Sequence, residues 1–203
     1  MAWVKVCGLT REEDVSAAVV AGADAVGFVL AESSPRCVSV VRATKLADGI
    51  PVMRFLVTTD LEAEPALEAL SAVGADGLQP HGRSAAAAAQ AAADMGYLVL
   101  RPVSVGDELD AGEVEALPKR QIPLLDTADA VLHGGTGRTF KWAAAGQLDR
   151  RFVLAGGLGP DNVAAAIATA KPWGVDASSR LEVEPGVKDH GKVAAFIEEA
   201  RRA

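Results

Sequence analysis

Short apolar runs and helical stretches alternate along the whole chain, and this alternation limits the possible folds more than any other feature. Continuous apolar runs are typical of parallel strands covered on both faces. Eight such runs with about eight helices, and no linker, repeat or low-complexity boundary, predict a closed (β/α)8 TIM barrel, a single domain over residues 1–203. An open, doubly wound sheet is the alternative. The predicted strands are 3–6, 25–30, 52–57, 77–81, 97–103, 122–126, a run beginning at Phe152, and 174–178.

Capping patterns mark several of the predicted helices. Thr10 followed by Glu13 has capping-box spacing, and Ser84 precedes an alanine-rich helix as its expected cap. Pro80 must lie at a strand end or on an edge, because it cannot donate to a ladder. The predicted helices follow Thr10 as far as Gly22, span 38–48, end at Val73, span 84–95 and 108–117, begin near Trp142, and span 162–170 and 192–202.

The composition and the net charge indicate which kind of molecule the protein binds. The 203 residues are 50% hydrophobic, enough for one sizeable core, and the formal net charge is −7 without any concentration of Lys and Arg. Binding to nucleic acid or to an anionic membrane therefore has no support, and a small molecule is the expected partner. The chain has two cysteines, no signal-like N-terminus and no apolar run near the ~20 residues that span a bilayer. These features indicate a reduced, cytoplasmic protein. Nothing in the sequence indicates an oligomeric state.

The stretch 152–162 reads as a short strand, a glycine turn and a helix start. Gly156, Gly157 and Gly159 let a backbone approach an oxyanion, and the N-terminus of the helix that follows would face it. Phosphate is the expected ligand. A tight connection without a ligand is the alternative.

The reactive side chains lie at the ends of the predicted strands. In a barrel of this kind they meet on one rim, where a thiol, two carboxylates, an imidazole, a guanidinium and a phosphate seat together suit proton transfer on an anionic small molecule. Arg36, His81 and Asp176 are expected to bind the substrate. The converging residues are Cys7, Arg36, His81, Asp126, Gly156, Gly157, Asp176, Ser178 and Ser179.

Each of these residues also has a plain structural explanation. Cys7 can be a small buried hydrophobe, Asp126 or Asp176 can cap a turn, Arg36 can pair with an acidic neighbour, and His81 can bond backbone in a turn. Cys37 has no case for function.

Metal binding has little support in the sequence. The three histidines are far apart, and no Cys or His pair has zinc-ligand spacing. The glycine-rich loop at 134–138 lacks the Lys-Ser/Thr ending of a nucleotide-binding P-loop, so it is interpreted as a flexible rim loop or lid.

Several motifs, in order along nearly the whole chain, resemble the phosphoribosylanthranilate isomerase family of tryptophan biosynthesis. They are KVCGLT at 5–10, GFV at 27–29, SPR at 34–36, LLD at 124–126, GGTG at 134–137, AGGL at 155–158 with Asn162, and PGVKD at 185–189.

This resemblance implies a reaction and roles. The reaction is the Amadori rearrangement of N-(5-phosphoribosyl)anthranilate to 1-(2-carboxyphenylamino)-1-deoxyribulose 5-phosphate, without a cofactor. By resemblance, Cys7 is the general base, Asp126 is the general acid and Arg36 holds the anthranilate carboxylate. The phosphate would lie at the loops after the seventh and eighth strands, around Gly156 with Gly157 and around Ser179.

The chemistry fits these residue types. Opening the furanose ring needs a carboxyl that stays protonated near neutral pH, and apolar Leu124 and Leu125 precede Asp126. Abstraction of the C2 proton needs a base, and a thiol with a reference pKa of ~8.5 needs only a modest lowering.

Three departures from the family pattern leave alternatives open. The chain has Pro80 where the family has Leu, and its third strand differs at 54–58. Arg180 replaces a glycine beside the expected phosphate seat, where it either clamps the phosphate or fills its space. The second outcome would fit a paralogue that isomerises another aminosugar phosphate, or a non-catalytic phosphosugar-binding barrel.

Overall fold

The strands pair in chain order and close into a barrel, as predicted. In the computed structural model, which describes residues 1–106, 108–127 and 142–203, each strand pairs in parallel with the next, and the last pairs with the first. This closure excludes the open sheet. The barrel strands are β1 (Trp3–Cys7), β2 (Ala25–Val29), β3 (Met53–Thr59), β4 (Gly77–His81), β5 (Leu98–Val105), β6 (Gln121–Thr127), β7 (Val153–Ala155) and β8 (Gly174–Ala177).

Helices follow the strands at the predicted places. Beyond β8 the chain also forms a 3-10 turn (Ser179–Leu181) and a small hairpin of β9 (Glu182–Glu184) and β10 (Val187–Lys188), which were not predicted. No helix in the described ranges is long and apolar enough to span a membrane. The helices are α1 (Glu12–Val20), α2 (Val40–Ala47), α3 (Ala63–Val73), α4 (Ala85–Asp94), α5 (Ala111–Ala116), α6 (Trp142–Ala145), α7 (Val163–Ala170) and α8 (His190–Arg202).

Two predicted caps were wrong. The residue before α1 is Arg11, and the hydroxyl of Thr10 instead donates to the carbonyl of Gly186 at 2.6 Å. Ser84 does precede α4, but its hydroxyl donates to Glu62 at 2.7 Å and caps nothing. In both cases the hydroxyl donates to a neighbouring segment and does not accept from an N–H at the helix start.

The position of Pro80 follows from its missing N–H. β4 pairs with β3 as far as His81 but with β5 only through Gly77 and Leu78. Pro80 therefore lies where one side of its strand has left the ladder, as expected for a residue that cannot donate.

Side chains on each strand alternate between two cores. On β1, Val4 and Val6 are fully buried against the surrounding helices, whereas Trp3, Lys5 and Cys7 face the barrel interior. Trp3 stacks on Trp173 with ring centroids 5.0 Å apart, which fills the N-terminal end of the barrel. The buried side chain of Lys5 therefore lies two residues along β1 from Trp3, next to the tryptophan pair that fills this end of the barrel.

The hairpin of β9 and β10 is fixed to the barrel rim by ion pairs. Glu182 receives two hydrogen bonds from Arg36, at 2.7 and 2.6 Å, and a third from the buried ammonium of Lys188 at 2.7 Å. Buried Asp14 at the start of α1 accepts from the backbone N–H of Lys188 and from Arg11. These contacts join segments from both ends of the chain.

Replacing Glu182 with Gln should destabilise the protein in a pH-dependent way. Burial alone would raise the pKa of Glu182, but hydrogen bonds from Arg36 and Lys188 outweigh it and hold the pKa below its ordinary value of 4.5. Such a carboxylate stabilises the folded chain above its unfolded-state pKa, and this contribution is lost as pH falls through the folded-state pKa. At neutral pH we expect Glu182→Gln to lower the free energy of unfolding by about 3 kcal/mol, since Lys188 stays buried without its carboxylate.

Urea titrations across a range of pH would measure this effect. The deficit of Glu182→Gln should shrink as pH falls below 4.5. Exposed Glu184 on the same hairpin provides the control, and Glu184→Gln should change stability by less than about 0.5 kcal/mol. A Glu182→Gln protein as stable as the wild type at neutral pH would contradict a stabilising role for this network.

Candidate active site

A cavity of about 250 Å³ opens at the carboxyl ends of the strands. Cys7 from β1, His81 from β4, Asp126 from β6 and Asp176 from β8 all line it, because parallel strands of a barrel end at the same rim. Of the predicted site residues, only Arg36 is absent from its wall. The remaining lining residues are Gln79, Ala155, Gly156, Gly157, Leu158, Ala177, Ser178, Ser179 and Arg180.

Cys7 is a buried thiol at the last position of β1. A Cβ on Gly27 of β2 would stand 2.6 Å from its Sγ, so the sulfur fills the space that the glycine leaves. Burial raises the pKa of Cys7 above its ordinary value, Lys5 opposes this most strongly, and Asp176 adds to it. The net shift is upward, opposite to the lowering that the sequence argument requires, because that argument did not include the burial of the sulfur.

Lys5 lies directly beneath Cys7 and is wholly buried. Its Nζ donates to Oδ2 of Asp176 at 2.8 Å and to Oε1 of Gln79 at 2.9 Å. Burial alone would lower the pKa of Lys5, but attraction to Asp176 and Cys7 holds it above its ordinary value. Sequence reasoning missed this residue, although a lysine two positions before Cys7 on an apolar strand must share its inward face.

The two carboxylate oxygens of Asp176 differ in their hydrogen bonding. Its Oδ2 accepts from Lys5, whereas its buried Oδ1 has no hydrogen-bond partner in the part of the chain that the structure describes. Burial raises the pKa of Asp176 above its ordinary value despite Lys5. An unsatisfied buried oxygen on a cavity wall is suited to accept a hydrogen bond from a ligand hydroxyl.

The surroundings of His81 favour its neutral imidazole form. Its pKa is lowered first by burial and then by the charges of Lys5 and Arg101. Gln79 directs its Oε1 to Lys5, so its Nε2 donates to Nε2 of His81 at 3.2 Å. This places the imidazole proton on Nδ1.

Asp126 lies half-buried on the cavity wall near the end of β6. Leu124 shares its inward face and packs in the barrel interior against Val153 and Ala155. Leu125 faces outward into the core beneath the helices, so only one of the two leucines named by the sequence argument lies on the inward face.

The glycine turn after β7 joins the strand to the start of α7, as predicted, and internal hydrogen bonds fix its shape. Gly156 and Gly157 have φ values of +81° and +63°, which favour glycine, and both line the cavity. The side chain of Asn162 accepts from the N–H of Gly159 at 2.9 Å and donates to the carbonyl of Gly157 at 3.0 Å. The first N–H groups at the start of α7, those of Asn162 and Val163, bond the carbonyl of Gly159. These two N–H groups are therefore satisfied within the turn.

Arg180 lies on the same rim within the 3-10 turn. Its Nη2 is 2.7 Å from both carboxylate oxygens of Asp161, and its side chain is 34% exposed. Ser179 beside it is exposed and lines the cavity, whereas the hydroxyl of Ser178 donates to the carbonyl of Cys7 at 3.0 Å. The Arg180–Asp161 pair thus joins the loops after β7 and β8.

Arg36 lies beside the cavity. Two of its three guanidinium nitrogens donate to Glu182, so pairing with an acidic neighbour, one of the two sequence interpretations, occurs here. A Cβ on Gly8 would stand 2.6 Å from Cδ of Arg36, so the glycine gives this side chain its path across the loop after β1. Sequence reasoning gave no role to Glu182 or Lys188.

Two further sequence interpretations concern ligands and the rim. Among residues 1–106, 108–127 and 142–203, no group of His, Cys, Asp and Glu side chains has an arrangement that could hold a metal ion. The loop at 134–138, interpreted as a lid, lies outside the described residues.

Comparisons with known proteins identify a family for this chain. The family model of N-(5'phosphoribosyl)anthranilate (PRA) isomerase matches residues 4–199. An N-(5'-phosphoribosyl)anthranilate isomerase of Rubrobacter xylanophilus is 42% identical over 205 residues, covering 99% of this chain and 100% of the relative.

Solved structures of phosphoribosylanthranilate isomerases share the fold over their whole length. The enzyme from Thermotoga maritima superposes with a TM-score of 0.89 at 36% identity, covering 100% of both chains. A structure in complex with reduced 1-(o-carboxyphenylamino)-1-deoxyribulose 5-phosphate gives a TM-score of 0.86 at 34% identity, again covering 100% of both. This chain therefore belongs to the N-(5'-phosphoribosyl)anthranilate isomerase family, as its motifs predict.

Proposed function

We propose that this chain catalyses the Amadori rearrangement of N-(5-phosphoribosyl)anthranilate to 1-(2-carboxyphenylamino)-1-deoxyribulose 5-phosphate in tryptophan biosynthesis. The observation that carries the proposal is one cavity lined by a thiol, a carboxyl group and a glycine turn suited to phosphate. Strands β7 and β8, whose loops form the expected phosphate seat, lie between β6 with Asp126 and β1 with Cys7. An acid and a base thus flank the place where the phosphate end of the substrate would be fixed.

The first step opens the sugar ring. Asp126 donates a proton to the ring oxygen while the bond from that oxygen to C1 breaks, and the nitrogen lone pair forms a C1=N iminium. Leu124 on the inward face beneath Asp126 provides the apolar surround that favours the protonated acid.

The second step moves the proton from C2. Cys7, as a thiolate, accepts it; the C–H electron pair forms C1=C2, and the C1=N pair returns to nitrogen. The enol then becomes the ketone, with a proton gained at C1 and one lost from the C2 hydroxyl. No electrons leave the substrate, so the reaction needs no redox partner.

Binding groups surround these two residues. The phosphate would be held by N–H groups of Gly156 and Gly157, the hydroxyl of Ser179 and the guanidinium of Arg180. Unsatisfied Oδ1 of Asp176 would accept from a sugar hydroxyl, and His81 would contact the sugar as a neutral imidazole.

Arg36 would receive the anthranilate carboxylate. Because Glu182 occupies its Nε and Nη2, the third nitrogen, Nη1, would make this contact. The reduced carboxyphenylamino-deoxyribulose phosphate bound by a solved relative supports a ligand of this type. We place the reaction in the cytoplasm, which cell fractionation would test.

Cys7→Ser and Asp126→Asn should each lower kcat by about 10²–10⁴, because each removes one proton-transfer group. Circular dichroism should show that both variants are folded. Cys37→Ser, at the cysteine outside the cavity, is the matched control and should retain full turnover. Full activity in Cys7→Ser or Asp126→Asn would refute the assigned roles.

The substrate itself is tested separately. Wild-type protein should restore growth of a tryptophan auxotroph that lacks this isomerase step, and it should turn over phosphoribosylanthranilate faster than other N-substituted ribosylamine phosphates. Faster turnover of another ribosylamine phosphate would favour a specialised paralogue. Tight binding without turnover would favour a non-catalytic phosphosugar barrel.

Replacing Arg180 with Gly should raise KM by about 2–5-fold and leave kcat unchanged, since a partly exposed charge contributes modestly and equally to ground and transition states. Asp161→Asn, which releases the guanidinium from its pair, should not raise KM. Inhibition by inorganic phosphate, measured in parallel, should weaken in Arg180→Gly. A lower KM in Arg180→Gly would mean that the side chain obstructs the phosphate seat.

A further inference from the structure

We propose that Lys5 is a positioning residue for Cys7: its buried ammonium stabilises the thiolate form of Cys7, and Asp176 opposes that stabilisation from the adjacent strand. This inference deepens the proposed function, in which Cys7 is the base, and rests on it. Lys5 does not itself line the cavity, so it would act through the sulfur without touching the substrate.

The geometry brings the two side chains of β1 into one space. Lys5 and Cys7 are two residues apart and share the inward face of the strand. A Cβ on Gly27 would lie 2.6 Å from Sγ of Cys7 and 3.2 Å from Cε of Lys5. Both side chains therefore pack over the same bare glycine of β2, and the ammonium has the sulfur as a near neighbour.

Two hydrogen bonds from the ammonium group of Lys5 have known acceptors. An ammonium carries three N–H donors and accepts nothing. Gln79 and Asp176 take two of them in the described structure, which leaves one for the sulfur. A buried ammonium is stable only when paired, and attraction to Asp176 and Cys7 keeps the pKa of Lys5 above its ordinary value.

Among the residues that the structure describes, five charged side chains surround the sulfur or pair with its neighbours. Three cations influence Cys7: Lys5 from β1, Lys188 from β10, and Arg36 from the loop after β2. Two carboxylates pair with them, namely Asp176 with Lys5, and Glu182 with both Arg36 and Lys188. The pKa of His81 on β4 is lowered, which favours its neutral form, and Asp126 on β6 lies on the wall of the same cavity. These five described charges sum to +1 before Asp126 is counted, so they favour a negative charge on the sulfur.

Two substitutions should move the thiol in opposite directions. The ultraviolet absorbance of the thiolate, taken as the difference from Cys7→Ser, reports the titration of Cys7 without substrate. Lys5→Met should shift this titration to higher pH by about one unit, a tenfold loss of thiolate at fixed pH. Asp176→Asn should shift it to lower pH. A purely structural role for Lys5 would not produce opposite shifts.

Controls separate charge from packing. Lys45→Met, on the exposed side of α2, should leave the titration unchanged. If Lys5→Met does not fold, because Asp176 is left buried without a cation, the double variant Lys5→Met/Asp176→Asn removes both charges and should fold. Its titration should lie above that of Asp176→Asn alone.

The outcomes distinguish this inference from the proposed function. Opposite shifts from Lys5→Met and Asp176→Asn support it; unchanged titrations, or shifts in the same direction, overturn it. If Cys7→Ser retains turnover while the shifts occur, the catalytic role of Cys7 fails and the coupling stands. If Cys7→Ser loses turnover and Lys5→Met leaves the titration unmoved, only the role of Lys5 fails. In active variants, the lower pH limit of kcat/KM should follow the thiol titration.

Discussion

The ion pair between Lys5 and Asp176 is the interaction on which the rest of the site depends. An ammonium and a carboxylate inside a barrel are costly to bury, and each is tolerated only because the other is 2.8 Å away. Their strands, β1 and β8, meet with these two residues directly opposite each other in register. From this pair the polar contacts extend through Gln79 to His81 and upward to Cys7. The cavity therefore has charged groups at its floor, above a barrel end filled by tryptophan rings.

Much of this arrangement follows from local sequence patterns. Period-two alternation on β1 places Lys5 and Cys7 on the inward face, and the convergence of strand ends places Asp126 and Asp176 on the same cavity. The barrel and the positions of these side chains could be predicted because each depends only on strand spacing and on the geometry of parallel strands. Lys5 was missed because only strand ends were searched, although its position in the pattern was visible.

Other features could not be predicted because they depend on partners distant in the chain. Thr10 has the spacing of a cap, yet a carbonyl 176 residues later takes its hydroxyl. Arg36 is bound by Glu182 from an unpredicted hairpin, 146 residues away. The pKa of Cys7 rises because of burial, which a motif does not encode. Local patterns identified the residue types, and tertiary packing selected their contacts.

The register between β1 and β8 has a consequence for how the protein is made. Lys5 lies on the first strand of the barrel to be synthesised, and Asp176 emerges 171 residues later. Until the final strand arrives, the lysine has no carboxylate opposite it in the barrel, and the charge cluster around the sulfur lacks members from the last strand and the hairpin. The strand that closes the barrel thus also brings the carboxylate that pairs with Lys5, so a chain that stops short of β8 has neither.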